Sequence, residues 1–320
     1  FAGIREEKDA SAEERKIREI NSGVYFFSPE IIETKLSSLT AENSQSEFYI
    51  TDLLKKDEKY LCEAISHPQE EDVLGINTSW EWSQINSIAQ RRLQKRLAEE
   101  KGVMFEHPDS IHVDAGVEFS GSCFVGRGTK ILGQSKIGVN VHIEGQCYLN
   151  NAEIGENSQI RWSSVVENSI LKDAVELGPF ARVREKTELS SSSVVGNFVE
   201  VKKSQLGKKV KAKHLAYLGD AEIGDEANIS CGVITCNYDG VKKSKTRIGE
   251  KAFIGSDVQL IAPVEIGDEA YVAAGTTLTR SISKDDLAIG RPELKVKEGY
   301  ASKLKKRFLA AKEKLKKENQ

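Results

Sequence analysis

The sequence predicts a mainly β protein: a parallel β-helix built from hexapeptide repeats, preceded by a short α/β-type segment and a connecting helix. Three observations carry this. From about Ile111 a six-residue beat runs through units such as KIGVNV, EIGENS, VGNFVE, IGDEAN, IGEKAF and IGDEAY, each an aliphatic residue, a small residue (usually glycine), two polar residues and a small or β-branched one. A period of six fits neither a helix nor a simple amphipathic strand. Three such units close a triangular coil of about 18 residues, and successive coils pair as parallel strands about 4.8 Å apart. Finally, the beat breaks once, after Thr235, where CNYDGVKKSKT intervenes, about a dozen residues, before resuming at Ile248-Gly249. Regular repeats supply scaffold and protruding loops supply chemistry, so this break and nearby His214 mark the region to search for function.

The totals narrow the class. The chain has 320 residues, a net charge of -3 and 30% charged residues, which gives no electrostatic case for nucleic acid as main partner. Cys62, Cys123, Cys147, Cys231 and Cys236 are odd in number and widely spaced, fitting neither a disulfide framework nor a zinc knuckle. A reducing cytoplasm is the simplest setting. No apolar run approaches the roughly 20 residues that span a bilayer, and no signal peptide is visible. The chain opens at Phe1 inside what reads as a folded segment, so a fragment is expected.

Taken in order, residues 1–77 read as the thin end of an α/β segment. Ile20 to Phe27 is β-rich, with Val24, Tyr25, Phe26 and Phe27 as a buried strand; Ser28-Pro29 ends it and opens a helix. Glu47 to Leu54 could begin another. Residues 78–102 read as a linking helix: Thr78-Ser79-Trp80-Glu81 has capping-box spacing, and Ile85, Ala89, Leu93 and Leu97 form one apolar stripe. Arg91, Arg92, Lys95 and Arg96 fall off that stripe as a solvated face. Residues 103–292 carry the β-helix, with one aliphatic residue per hexad pointing inward and the glycine behind it permitting a corner with unusual backbone angles. Residues 293–320 form a basic tail. Lys303 to Lys317 is dense in lysine, with Leu304, Phe308, Ala311 and Leu315 at helical spacing. Such a helix can lie on a membrane or meet an acidic partner, but a helix packed on the solenoid end or a solvated tail is the plainer reading.

GPFARVR, VGNFVEVKKSQLG, HLAYLGDAEIG, ITCNYDG, FIGSD and AAGTT together resemble the bifunctional N-acetylglucosamine-1-phosphate uridyltransferase/glucosamine-1-phosphate N-acetyltransferase family. The match is close from about Leu177 to Arg291, and looser between Glu100 and Val175. In the first segment GIREEKDA, REINSGVYFF, EFYITD and Gly75 to Asn77 look like the end of that family's uridyltransferase domain. The resemblance implies an α/β nucleotidyltransferase domain, a linking helix and a left-handed β-helix that forms a homotrimer with the acetyltransferase site between subunits. The left hand comes from the family, against the usual right-handed crossover. It also implies acetyl transfer from acetyl-CoA to glucosamine 1-phosphate, on the way to UDP-N-acetylglucosamine and the bacterial cell envelope.

Position by position, the resemblance makes His214 the general base, a task suited to an imidazole because imidazoles titrate near neutrality. Asn237 and Tyr238 lie near the acetyl group and the base, able to orient one and stabilise the oxyanion of the other. Arg184, Lys202, Tyr217, Asn228 and Lys243 match positions that hold the sugar phosphate, where converging cations meet a dianion. Cys231, Asn237, Tyr238, Ser256, Ala274 and Arg291 match the acetyl-CoA side. Ser230-Cys231-Gly232 departs from the family's small Gly-Ala-Gly-like run, and Cys231 there implies sensitivity to thiol reagents. Glu6 and Asn21 match UDP-N-acetylglucosamine contacts, and Asn77 a magnesium and substrate contact. The family's glycine-rich phosphate loop and metal-binding aspartate would precede Phe1, so UMP transfer is not expected of this chain. Two other readings stay open: a non-catalytic trimeric scaffold, and an acyltransferase for another amino sugar. A zinc enzyme using His112, His142 and His214 is disfavoured by their spacing.

Overall fold

A computed structural model describes residues 1, 3–42, 46–54 and 60–318. Asn319 and Gln320 of the expected tail, and residues 2, 43–45 and 55–59 of the first segment, lie outside them. The chain divides into two compact units, Phe1–Gln90 and Arg91–Gln320.

Among its described residues the first unit contains helical turns and no strand. Helix α1 is Pro29–Lys35, entered through Ser28 with proline at its first turn. The expected strand at Ile20 to Phe27 does not form. The chain there is extended, the Tyr25 and Phe27 rings lie tilted to one another at 5.8 Å between centres, but Phe26 is 96% exposed and no described strand pairs with it. An isolated extended segment leaves its backbone donors and acceptors to water, so alternation alone does not make a strand. The apolar run at Glu47 to Leu54 forms only a 3-10 turn, Ile50–Leu54, which buries Thr51 and Leu53.

Helix α2 spans Ser79–Lys101. Its capping box is made: the Thr78 hydroxyl accepts from Glu81 N at 3.2 Å, and Glu81 Oε2 accepts from Asn77 N and Thr78 N at 2.7 and 2.8 Å. Leu93 and Leu97 pack into the core of the second unit, while Arg91, Arg92, Lys95 and Arg96 are exposed. Gln94 is buried as well, its amide donating to the carbonyls of Pro108 and Ile111.

The second unit is the predicted mainly β class, a parallel β-helix of hexapeptide repeats. Every strand pairing is parallel, and partners on successive coils lie one coil apart in sequence, as in Ile137↔Ile154 and Ile143↔Ile160. Three faces result. Gln205–Leu206, Ala221–Ile223, Thr246–Ile248 and Val264–Ile266 stack on the first. Asn228–Ile229, Phe253–Ile254 and Tyr271–Val272 stack on the second. On the third lie Arg182–Arg184, then Glu200 to Lys202, Tyr217 to Gly219, Ile234–Cys236 and Gln259–Ile261. Ile131, Ile137, Ile143, Leu149, Ile160 and Leu177 are wholly buried, one inward residue per hexad stacked on the next. Truncating any of them to alanine costs about 2–5 kcal/mol.

Most hexad glycines serve a different purpose from the one expected, although Gly178 of LGPFAR does hold a left-handed angle, φ 97°. Gly138, Gly224 and Gly249 do not hold left-handed angles. A Cβ on Gly224 would stand 2.6 Å from Glu250 N, and one on Gly249 would stand 2.5 Å from Asp268 N, so these positions are small because the next coil's backbone passes against them. The left-handed residue of each corner comes two positions later: Asn140 at φ 63°, Glu226 at 61°, Lys251 at 53°.

The break after Thr235 is shorter than its sequence suggests. Register partners on the first face are Gln205↔Glu222 before the loop, Glu222↔Arg247 across it and Arg247↔Glu265 after it, separations of 17, 25 and 18 residues, so the loop adds seven or eight. The rest of CNYDGVKKSKT belongs to the coil. After the last strand, helix α3 covers Tyr300–Glu318. Leu304 is half-buried; Phe308 and Leu315 are exposed and take no part in the core. Among the described residues no helix is long and apolar enough to cross a membrane.

Candidate active site

His214 lies on the Lys211–Gly219 strand, at the edge where the second face turns into the third, and its ring is exposed. Parallel pairing places Asn197 of the preceding coil in register with it, and Asn197 Oδ1 lies 3.1 Å from His214 Nδ1. An amide oxygen can only accept, so in the neutral ring this contact selects the tautomer with the proton on Nδ1 and the lone pair on Nε2. That is the tautomer a general base needs, held by a residue that sequence reasoning missed. Its signal was the 17-residue spacing within VGNFVE and KHLAYLG, readable only once the coil length is known.

The third face carries a charged cluster. Arg184 and Lys202 are in register on adjacent coils, with Gly219 next in the column, and Tyr217 pairs with Glu200. Arg184 Nε donates to Glu200 Oε1 at 2.7 Å, its Nη1 donates to Glu185, and Lys202 Nζ sits 3.4 Å from Glu185. The Glu200 hydrogen bond holds Arg184 above the ordinary guanidinium range. Desolvation pushes Glu185 up, but Lys202, Arg184 and Lys243 outweigh it and hold the carboxyl below its usual range. Four of the expected phosphate-binding residues, Arg184, Lys202, Tyr217 and Lys243, thus meet around two carboxylates, Glu185 and Glu200, that the sequence reading did not include. Arg184 and Lys202 are paired here, so an incoming phosphate would exchange for a carboxylate rather than enter a bare positive pocket.

Asn237 closes the far edge of this face. It is buried, and its Nδ2 donates to Asp220 Oδ2 at 2.6 Å; Asp220 is itself 7% exposed, with Lys203 at 3.8 Å. Beneath it Thr235 Oγ1 accepts from Gly219 N at 2.7 Å. A Cβ on Gly219 would stand 2.5 Å from the Tyr217 hydroxyl and 2.8 Å from Asn237 Nδ2, so any larger residue here would have to displace both side-chain ends. Asn237 is therefore the anchored root of the protruding loop, closed above it by Ser244 N donating to Asn237 O and by the bridge Tyr238↔Lys243. Tyr238 is 60% exposed and its hydroxyl donates to Gly240 O at 2.6 Å, so the ring lies over its own loop.

Four of the six residues expected on the acetyl-CoA side, Cys231, Ser256, Ala274 and Arg291, form one ladder along the edge that bears His214; Asn237 and Tyr238 lie in the loop instead. Gly232 N donates to Leu215 O, Asp257 N to Cys231 O and Gly275 N to Ser256 O, and Gly275 abuts the Arg291 side chain. His214, Cys231, Ser256, Ala274 and Arg291 thus occur on successive coils, a run of about 19 Å at 4.8 Å per coil. An edge of this kind suits an elongated ligand lying parallel to the helix axis. Asn228 stands beside the ladder, its amide donating to Ser230 Oγ at 3.2 Å, and does not join the cationic cluster. Phe180 and Phe198 stack at 5.6 Å on the same edge and, with Leu215, leave an exposed apolar ridge next to His214.

Elsewhere the expectations find less. Asn21 donates to the Tyr25 hydroxyl at 2.6 Å and accepts from Gly23 N, Glu6 O accepts from Asp9 N, and Asn77 stands before α2; none of the three meets another candidate among the described residues. The donors at Asn77 do not fit magnesium, a cation that wants six oxygens: the carboxylate beside it, Glu81, is turned onto two backbone N–H groups, and among the described residues no cluster of three or more His, Cys, Asp or Glu occurs. His112 contacts Asp114 at 3.0 Å and His142 stacks on Phe124. An open groove on the first face, lined by Glu188, Glu222, Arg247 and Glu265, contains no candidate residue.

Two family models match the chain: the GMPPB C-terminal domain over residues 113–212, and the bacterial transferase hexapeptide (six repeats) over residues 245–280. Curated relatives named bifunctional protein GlmU include the following three. That of Pelobacter propionicus is 40% identical over 306 residues, covering 95% of this chain and 66% of the relative. Those of Geotalea uraniireducens and Bdellovibrio bacteriovorus are each 41% identical over 306 residues with the same coverage. The chain thus spans just under two thirds of the length of the relatives it matches.

Proposed function

The chain belongs to the family of bifunctional GlmU proteins, and from that premise we propose that it transfers acetyl from acetyl-CoA to the amine of glucosamine 1-phosphate. The observation that carries this reading is the Asn197–His214 pair, which leaves the Nε2 lone pair of an exposed imidazole free to take a proton. The amine nitrogen attacks the thioester carbonyl and passes its proton to His214 Nε2. The C–S bond then breaks, and the departing thiolate takes up a proton as coenzyme A leaves.

The remaining assignments follow the same division of space. Arg184, Lys202 and Lys243 bind the sugar phosphate, with Tyr217 between them and His214, and Asn228 bounds the substrate on the ladder side. Cys231, Ser256, Ala274 and Arg291 line the cosubstrate, Arg291 facing its phosphates. Asn237 and Tyr238 border the acetyl group, Asn237 by anchoring the loop. The apolar ridge Phe180–Phe198–Leu215 beside His214 supports burial by a second copy, in keeping with the homotrimer with shared sites, and the left-handed winding, that the family resemblance implies. Five unpaired cysteines suit a cytoplasmic setting. The product feeds UDP-N-acetylglucosamine synthesis. The resemblance also carries a uridyltransferase activity with Glu6 and Asn21 as substrate contacts, but the residues around Asn77 do not fit the magnesium ion it would need.

The test is a thiol-release assay with acetyl-CoA and glucosamine 1-phosphate on this chain and on His214→Ala. Turnover in the first and its loss in the second is expected. No turnover from a trimeric, folded protein would favour the scaffold reading, and turnover that survives the substitution would remove His214 as base.

A further inference from the structure

Helix α3 is the one long described element of the second unit that makes no contribution to its core, and its side chains are segregated in a particular way. Between Tyr300 and Glu318 the sequence holds eight Lys or Arg and two Glu, a local charge of +6 on a chain whose net charge is -3. At 3.6 residues per turn Leu304, Phe308, Ala311 and Leu315 fall on one stripe, within about 60° of the helix circumference. Phe308 and Leu315 are 67% and 60% exposed and Leu304 is only half-buried, so most of the stripe is open to solvent. Cations border it on both sides: Lys303, Arg307 and Lys314 along one margin, Lys305 and Lys312 along the other. Glu313 falls on the opposite pole.

We propose that α3 is an interfacial helix that lays this stripe onto the surface of an anionic lipid bilayer. Two margins of cations enclosing an apolar strip match a headgroup layer in chemistry and in geometry. The strip enters the boundary between headgroups and acyl chains, and the lysine and arginine stems reach back from it to lipid phosphates. A nucleic acid would be served by the cations alone and gives no use to Phe308 and Leu315. The helix lies on the surface and does not span, in keeping with its lack of a long apolar run. This surface is distinct from the proposed acetyl-transfer site and does not rest on that reading.

The experiment is vesicle flotation with the full chain, using phosphatidylcholine vesicles with and without phosphatidylglycerol. Flotation only with the anionic vesicles, weakening as salt rises, is expected. A stripe variant (Leu304→Ser, Phe308→Ser and Leu315→Ser together) and a margin variant (Lys305→Gln, Arg307→Gln, Lys312→Gln and Lys314→Gln together) should each lower partitioning by about tenfold or more. Both should keep the thermal unfolding of the parent, since neither touches the β-helix core. Because the stripe variant can also lose the helix, Phe308→Trp supplies an independent reading: its emission should shift to the blue on anionic vesicles as the indole enters the interface. Absence of flotation by the parent chain would overturn the proposal. So would equal flotation of the stripe variant, an emission from the Phe308→Trp variant that does not move, or capture of duplex DNA in preference to the vesicles.

Discussion

Asn197 and His214 share a register position on adjacent coils, and the Asn197 amide oxygen accepts the proton of His214 Nδ1 across 3.1 Å. Because the coil repeat fixes both Cα positions, the orientation of the imidazole, the proposed base, is built into the scaffold. Replacing Asn197 by alanine should leave the fold intact and free the imidazole to rotate and change tautomer. The expected loss in kcat is about tenfold or more, within the roughly 10²- to 10⁴-fold that a positioned base contributes. KM for either substrate should change little. Asn197→Asp retains an acceptor, should recover part of the rate, and should move the acid limb of the pH–rate profile upward by favouring the charged imidazolium. An unchanged kcat in folded Asn197→Ala would remove the pair from the mechanism.

Asp220 has a comparable hold on the loop. Its buried carboxylate accepts from Asn237 Nδ2 at 2.6 Å. Asp220→Ala would strand that N–H in a dry setting and leave Lys203 without its partner, at a cost of about 1–3 kcal/mol in denaturant unfolding. Asp220→Asn, which keeps an acceptor, should cost less. If the loop borders the acetyl group as proposed, KM for acetyl-CoA should rise in the alanine variant beyond any change in stability. Equal stability of the two variants would show that the hydrogen bond does not matter.

The glycines of the hexads show what the sequence made legible and what it hid. Periodicity announces a coil because inward residues such as Ile137 and Ile154 must repeat at its pitch. It is silent on why Gly224 is glycine, since that depends on how closely Glu250 of the next coil passes. The same holds for the site: His214 and the CNYDG loop stand out in one dimension, whereas Asn197, Glu185, Glu200 and Asp220 become partners only through the winding. The strand expected at Ile20 to Phe27 failed for the converse reason, a local pattern without a neighbour to pair. Gly224→Ala should therefore destabilise by about 1–3 kcal/mol through overpacking. Glu226→Gly, at φ 61°, should stay within about 1 kcal/mol of the parent because strain relief offsets chain entropy. Urea unfolding of the two variants decides between close approach and corner angle.

Cys231 offers a chemical probe of the ladder. It is exposed, whereas burial pushes the thiol of Cys123 up to about 12 and that of Cys147 up to about 11. Only thiolates alkylate readily, so those two should remain inert. Iodoacetamide should modify Cys231 and slow acetyl transfer by placing an amide where the cosubstrate runs. Cys231→Ala should retain activity and resist the reagent. Mass spectrometry that confirms modification of Cys231 with the rate unchanged would place the cosubstrate elsewhere.

The tip of the loop should respond to acid in a predictable direction. Asp239 Oδ1 accepts from Val241 N at 2.9 Å and Lys242 N at 2.8 Å. The hydrogen bond from Lys242 N, then that from Val241 N, holds the Asp239 carboxyl below its ordinary range. A carboxyl depressed by folding lends its stabilisation fully above the unfolded value and loses it as pH falls through the lower, folded value. Amide exchange at Val241 and Lys242 should therefore stay protected at neutral pH and through the ordinary aspartate range, then open below it, once intrinsic exchange rates are allowed for. Asp239→Asn keeps an acceptor oxygen that cannot titrate, so its protection should be weaker at neutral pH and flat with acid. Parallel acid responses in parent and variant would assign the opening to the coil beneath the loop, where Asn237 and Asp220 meet, rather than to Asp239.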